Sequence, residues 1–152
     1  RVIFIIVGSG DNQRVKSLMS LIHKLKLNKS IILTGFMKEK SKDIVAGFDV
    51  FVMPTIDFEG FGYSMAEAML AGVPPVVSNV GALKEIIISD QSGIIIEPST
   101  NILNWKKRLE SLVEDRNLRN GIGAAAKKRI KDNFQSSKMS LEYFDFMVNK
   151  KW

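Results

Sequence analysis

The sequence predicts an α/β fold built on a doubly wound parallel sheet, and three observations support this fold class. Short, continuously apolar runs alternate with segments in which apolar residues recur at helical spacing. Glycine, proline or polar turn residues close the apolar runs, as expected of buried strands. The chain has 152 residues, of which 45% are hydrophobic and 25% charged. These values fit one globular domain with a sizeable core.

The elements follow in chain order from these patterns. Apolar runs bounded by turn residues predict strands at 2–7, 31–33, 50–53, 76–77 and 94–96. Apolar spacing and terminal signals predict helices at about 15–25, 41–46, 61–71, 82–87, 102–112, 118–130 and 137–148. Gly72 is predicted to end the third helix as a left-handed cap, with Pro74 just beyond it. In such a sheet, ligands bind where strands run into loops and helix N-termini.

Several classes of site are excluded by composition and motif. The absence of cysteine excludes a disulfide scaffold, an iron–sulfur cluster and a cysteine nucleophile. The single histidine, His23, lies in a predicted helix and leaves no pattern for a zinc site or a catalytic triad. The P-loop motif is absent, and Gly8-Ser9-Gly10 lacks the third glycine of a dinucleotide fingerprint, because Gln13 stands there. No apolar run approaches the ~20 residues that cross a bilayer.

The positive charge is concentrated near the C-terminus. Residues 101–152 carry the whole net charge of +6, whereas residues 1–100 are balanced. Tracts such as Lys127-Lys128-Arg129 could favour an anionic membrane surface or nucleic acid. We favour solvated helix faces, and we expect no nucleic-acid partner because aromatic residues do not interleave with the basic ones.

The loop after the third strand has the clearest chemical signal. Gly60 and Gly62 would allow positive φ or a close approach of the backbone to a ligand. The following helix would offer free N–H groups at Gly62, Tyr63 and Ser64, which suit a diphosphate. Glu59 would face groups beyond the phosphates, and Glu67 would accept hydrogen bonds from hydroxyls. Spacing alone is equally compatible with a purely structural strand–turn–helix corner.

At these residues the sequence resembles a known family. Glu59 and Glu67 form an E-x7-E pair within "EGFGYSMAEAMLAGVP", preceded by "DVFVMPT" and followed by "VGALKEIIISDQSGIIIEP". This stretch resembles the donor-binding domain of retaining nucleotide-sugar glycosyltransferases of family 4, which have the GT-B fold with two Rossmann-like domains. The similarity runs from "IIVGSGDN" through "ILTGF" to about Pro98.

The resemblance implies a role for each matching residue. Glu59 would be the catalytic residue beside the anomeric carbon and would bind the hydroxyls of the donor sugar. The sugar would be cradled by Gly60, Phe61 and Gly62, the distal phosphate held at Tyr63 and Ser64, and the nucleoside bound by Glu67, Gly35 and Phe36. The resemblance implies no cofactor and no divalent metal, and we discount Asp57-Phe58-Glu59 as a metal-binding triplet.

The resemblance also sets expectations for the whole protein. Residues 1–152 would be the donor-binding domain truncated at its N-terminus, with the acceptor domain and an Arg and a Lys that clamp the diphosphate preceding Arg1. Such a fragment is expected to be inactive alone. Pro75 and Ala82 replace a Val and a Gly that are usual in the family. The last helix would pack on the acceptor domain.

The expected partners are a nucleotide-sugar donor and, through the missing domain, a glycan or lipid-linked acceptor; a peripheral membrane contact of the basic region is the less favoured possibility. The expected setting is polysaccharide biosynthesis in the cytoplasm or at the cytoplasmic membrane face. Two alternatives remain: a sugar-nucleotide epimerase of the same fold, and a non-catalytic module that binds nucleotide sugars.

Overall fold

The computed structural model of the chain describes residues 2–37 and 41–149. The strands are β1 (Phe4–Val7), β2 (Ile31–Gly35), β3 (Phe51–Met53), β4 (Pro75–Ser78) and β5 (Ile94–Ile96). The helices are α1 (Asn12–Lys24), α2 (Ser41–Ala46), α3 (Tyr63–Ala71), α4 (Leu83–Ile86), α5 (Ile102–Glu114), α6 (Arg116–Asn133) and α7 (Ser136–Asn149). The pairs β1–β2, β3–β4 and β4–β5 are all parallel, so the predicted α/β class is confirmed.

Most element boundaries differ from the prediction by one to three residues. The first strand begins at Phe4 rather than at residue 2. The third helix begins at Tyr63 rather than at Phe61, because Gly62 has a left-handed conformation with φ 77° and cannot be part of a right-handed helix. The predicted left-handed cap at Gly72 is confirmed by its φ of 87°.

The first compact unit, Arg1–Asp43, contains the parallel pair β1–β2 and helix α1. Phe4 pairs with Ile31, and the register shifts between Ile6 and Val7. The Asp11 carboxylate caps α1 by accepting from the Arg14 N–H at 2.8 Å. This capping explains why the helix begins directly after the turn that closes β1.

The second compact unit, Ile44–Trp152, is built on the sheet β3-β4-β5, with β4 in the centre. Neighbouring residues of β4 enter different core clusters because side chains alternate across a strand. Val77 packs with Met65 and Met69 of α3, whereas Val76 packs with Leu112 of α5. Helices therefore cover both faces of this sheet, as the doubly wound prediction requires. Pro75 opens β4, a position where a strand tolerates proline.

Helix α6 crosses the end of α3 at a contact between two glycines. A Cβ atom at Gly123 would lie 2.1 Å from the carbonyl oxygen of Gly72, so only glycine fits there. The same helix sends Ala126 and Ile130 into the core cluster that contains Met65. Helix α3, which begins at the candidate site, is thus held in place by its packing against α6.

Most described cations of the basic C-terminal region are exposed, as expected of solvated helix faces, but three arginines are partly buried. Arg108 forms an ion pair with Asp90 at 2.8 Å, and Arg119 lies 3.5 Å from Asp49 with its side chain only 16% exposed. The Arg129 side chain is half-buried and bonds to backbone carbonyls. Several of these cations therefore stabilise the fold itself.

Helix α7 has no buried residue. Its apolar side chains are exposed, and they are Met139, Leu141, Tyr143, Phe144, Phe146, Met147 and Val148. The sequence places one more large apolar residue, Trp152, just after this helix, but it lies outside the described residues. Among the described residues, no helix combines the length and apolar character needed to cross a membrane.

Candidate active site

The candidate site is the loop 54–62, which connects the carboxyl end of β3 to the N-terminus of α3. Gly62 closes this loop with φ 77° and ψ 57°, a conformation that favours glycine. Space is also restricted, since a Cβ atom at Gly62 would lie 2.9 Å from Cδ2 of Leu83. Backbone geometry therefore favours glycine here, and any larger residue would also have to displace the end of the Leu83 side chain.

The Glu59 carboxylate lies across the start of α3. Its Oε1 accepts a hydrogen bond from the Gly62 N–H at 2.8 Å and a longer one from the Phe61 N–H at 3.4 Å. The expectation of a free N–H at Gly62 is therefore wrong, because the loop's own carboxylate occupies it. Within the described part of the chain, no hydrogen bond to Oε2 accompanies these two.

The backbone of Glu59 is held by the turn that precedes α4. The Ala82 N–H donates to the Glu59 carbonyl oxygen at 3.1 Å. Gly81 has φ 56°, and a Cβ atom there would lie only 2.1 Å from that same oxygen. Sequence reasoning missed Gly81 as a site residue, since a lone glycine before a short helix indicates only a turn.

The first residues of α3 are open to solvent. The earliest intrahelical bond runs from the Ala66 N–H to the Gly62 carbonyl at 2.9 Å. The N–H groups of Tyr63 and Ser64 precede it, so helix geometry gives them no intrahelical acceptor. Both residues are exposed, and the Tyr63 ring lies 5.0 Å from that of Phe61. This end of α3 can therefore present two N–H groups and the positive end of a helix dipole to an anion.

Gly60 behaves differently from Gly62. It is exposed and is not among the residues with positive φ. A Cβ atom at Gly60 would make only an ordinary 3.7 Å contact with the Phe58 ring. Neither backbone geometry nor packing therefore requires glycine at this position.

The predicted nucleoside-binding residues lie in both compact units. Glu67 is half-buried in the second turn of α3, on the same element as Tyr63 and Ser64. Gly35 and Phe36 belong to the first unit, at the end of β2. Gly35 has φ 70°, and Phe36 is 72% exposed.

In the part of the chain that the structure describes, no group of three or more histidine, aspartate or glutamate side chains could hold a metal ion. Asp57 is exposed, whereas the neighbouring Glu59 directs Oε1 to backbone N–H groups. These two carboxylates therefore have different environments.

The sequence matches the family described as glycosyl transferases group 1 over residues 1–129. The chain belongs to this family. An uncharacterized glycosyltransferase of Methanocaldococcus jannaschii, MJ1069, is 31% identical over 154 residues, which cover 98% of this chain and 38% of that protein. The capsular polysaccharide biosynthesis glycosyltransferase CapM of Staphylococcus aureus is 33% identical over 101 residues, covering 66% of this chain and 26% of that protein.

Solved structures of glycosyltransferases share the fold of this group 1 domain. HepE of Anabaena, in complex with UDP, superposes with a TM-score of 0.90 at 22% identity over 98% of this chain and 41% of that chain. The complex of HepE with UDP-glucose superposes with a TM-score of 0.88. The architecture is that of the C-terminal domains of GT-B glycosyltransferases. The group 1 domain described here spans well under half the length of these proteins.

Proposed function

We propose that this chain is the donor-binding domain of a retaining glycosyltransferase of family 4. The intact enzyme would transfer a sugar from a nucleoside-diphosphate sugar to a glycan or lipid-linked acceptor. The observation that supports this most is the Glu59 carboxylate, which lies beside the α3 N-terminus and bonds to the Gly62 N–H through Oε1, with no accompanying hydrogen bond to Oε2 in the described part of the chain. A sugar diphosphate needs both features, a hydrogen-bond acceptor for hydroxyls and an adjacent site for phosphate.

In this proposal the sugar and the leaving group bind to neighbouring parts of one loop–helix element. Oε2 of Glu59 accepts hydrogen bonds from sugar hydroxyls, and the backbone at Gly60, Phe61 and Gly62 supports the ring. The N–H groups of Tyr63 and Ser64 hold the distal phosphate. Negative charge accumulates on that phosphate as the glycosidic bond breaks, so a positive helix end there lowers the barrier.

The remaining assignments come from the family motif. Glu67 binds the ribose hydroxyls, and Gly35 and Phe36 border the nucleobase. We propose that this chemistry needs no divalent metal or other cofactor, because helix N–H groups and basic side chains of the intact enzyme neutralise the diphosphate. Turnover in EDTA at the rate measured with Mg²⁺ would support this point, and strict dependence on Mg²⁺ or Mn²⁺ would contradict it.

We further propose that a separate N-terminal domain binds the acceptor and that the enzyme works in polysaccharide biosynthesis. CapM, by its name, serves capsular polysaccharide biosynthesis. We place the enzyme in the cytoplasm, at the membrane face where a lipid-linked acceptor would be found.

A donor screen tests the proposal. The intact enzyme is incubated with UDP-glucose and a panel of other nucleotide sugars, with and without glycan and lipid-linked acceptors, and products are identified by mass spectrometry. We expect an acceptor to gain one sugar with release of the nucleoside diphosphate, and NMR of the product to show an unchanged anomeric configuration. An epimerised nucleotide sugar formed without acceptor would indicate an epimerase. Binding without any product would indicate a non-catalytic module, and an inverted anomeric centre would refute retention.

A further inference from the structure

Arg129 of α6 contacts two different elements next to the candidate site. Its guanidinium donates to the carbonyl oxygens of Glu85, at 2.8 Å, and Ile86 at the C-terminal end of α4. Its guanidinium carbon also lies 5.5 Å from the centre of the Phe134 ring. One half-buried cation therefore holds the end of α4 and an aromatic ring after α6 at the same time.

The first of these contacts leads to the Glu59 backbone. Helix α4 spans only Leu83–Ile86, a single turn, so fixing its last carbonyls also restricts its first residue. The residue before it, Ala82, donates to the Glu59 carbonyl at 3.1 Å. Leu83 is fully buried and packs directly over Gly62. A tilt of α4 would therefore displace both ends of the Glu59–Gly62 hydrogen bond.

The second contact leads to the Glu59 carboxylate. The Phe134 ring meets the Phe61 ring edge-on, with centroids 6.1 Å apart. The Phe61 N–H points to Oε1 of Glu59 at 3.4 Å. Both contacts of Arg129 thus lead to Glu59. The contact with α4 leads to the main chain of Glu59, and the contact with Phe134 leads to its side chain.

We propose that Arg129 is a positioning residue that fixes the Glu59 carboxylate for the donor sugar through α4 and Phe134. The inference rests on the proposed catalytic role of Glu59. A planar guanidinium suits the task, because it can donate in its plane to two carbonyls while its face lies on an aromatic ring. The compact ammonium group of lysine cannot make the same set of contacts.

The test uses the intact enzyme with Arg129→Gln and, as a matched control, Lys131→Gln, which removes the same charge from an exposed position of α6. We expect Arg129→Gln to lower kcat at least tenfold and to leave the Kd for the nucleoside diphosphate within about twofold. UDP is the probe, or the matching diphosphate if the donor screen selects another base. Lys131→Gln should change neither quantity, and Arg129→Lys should not restore kcat.

Two further measurements separate positioning from a loss of folding. Hydrogen exchange read by mass spectrometry should be faster in peptides that cover the loop 54–62 in Arg129→Gln, and unchanged in Lys131→Gln. In a Glu59→Ala background, Arg129→Gln should cause no further loss of kcat, because both changes act on one group. Phe134→Leu should give a smaller loss of kcat with the same non-additivity.

The outcomes distinguish this inference from the proposed function. Unchanged kcat and loop exchange in Arg129→Gln, or losses that multiply fully with those of Glu59→Ala, would overturn the role of Arg129. Equal losses of kcat and of nucleotide-binding stoichiometry would overturn it too, because they would report unfolding. If Glu59→Ala itself transfers sugar at the wild-type rate, the proposed function fails, and loop exchange alone then decides whether Arg129 positions Glu59.

Discussion

Oε1 of Glu59 bonds to the loop backbone, and Oε2 is proposed to bind the donor sugar. Two substitutions distinguish the structural role of this carboxylate from its proposed role in binding. Glu59→Ala should lower kcat on the order of 100-fold, the size expected when a group that stabilises transition-state charge is lost. Nucleotide affinity should change little, because the residue is proposed to face the sugar. Glu59→Gln keeps an oxygen that can accept from the Gly62 N–H, so it serves as the structural control. Steady-state kinetics and calorimetry measure both effects, and full activity in Glu59→Gln would show a purely structural role.

Substitution of Glu67 should have the opposite effect to that of Glu59, because it should mainly weaken nucleotide binding. Glu67→Ala removes the proposed contact with the ribose hydroxyls, and a hydrogen bond to a charged group contributes about 1.5–3 kcal/mol. Nucleotide affinity should therefore fall roughly tenfold to a hundredfold. Calorimetric titration with UDP measures this, with Glu114→Ala at the exposed end of α5 as the matched carboxylate control. Affinity retained in Glu67→Ala would remove Glu67 from the nucleoside site.

Some features of single residues in the site could be predicted from the sequence, and others could not. The preference for glycine at Gly62 follows from a strand–turn–helix corner and is confirmed by its positive φ. The occupied N–H of Gly62 could not be foreseen, because the rotamer that brings the Glu59 carboxylate back to it depends on the folded loop. For Arg129 the sequence predicts only surface charge, since tertiary packing is what brings its guanidinium to carbonyls 43 and 44 residues away in sequence.

The turn before α4 supports the loop 54–62 and predicts a strong effect of a small substitution. Gly81→Ala would place a methyl group 2.1 Å from the Glu59 carbonyl oxygen at a φ of 56°. The left-handed conformation alone costs about 1–3 kcal/mol for other residues, and the steric overlap adds to this. We expect a lower free energy of unfolding and a displaced loop with reduced kcat.

Gly121→Ala is the matched control for this prediction. Gly121 lies within α6, and a Cβ atom there would meet nothing within 4 Å. Alanine should stabilise the helix by about 0.5–1 kcal/mol. Denaturant unfolding of both variants provides the measurement, and equal stability of Gly81→Ala and the wild type would contradict the proposed support of Glu59.

The order of helices and strands could be predicted because each depends on local periodicity and terminal residues. The predicted bounds of helix α2 and strand β5 match the observed ones. The crossing of α3 and α6 could not be predicted, because it depends on Gly72 and Gly123, which are far apart in sequence and close in space. Neither glycine alone indicates its partner.

The surface of the whole molecule is most unusual at α7, where large apolar side chains remain exposed. Leu141 and Phe144 are 70% and 67% exposed, and no residue of this helix is buried. A helix that exposes this many large apolar side chains tends to associate with a partner. In the proposed enzyme, the partner is the acceptor domain. We therefore expect the chain of 152 residues alone to self-associate, and the intact enzyme to do so less.

Sedimentation velocity of paired variants tests this expectation. Leu141→Gln combined with Phe144→Gln should shift the isolated chain toward monomer, because it removes the centre of the apolar surface. Ile102→Gln combined with Leu103→Gln is the control, since these side chains are each 79% exposed but lie on α5. The control should leave self-association unchanged. A chain that is monomeric at all concentrations would refute the contact surface on α7, and an equal effect of both pairs would show nonspecific hydrophobic association instead.

Pelleting of the intact enzyme with anionic but not neutral vesicles, reversed by salt, would assign a membrane contact to the basic region. Its absence at low salt would remove that contact without changing the prediction for α7.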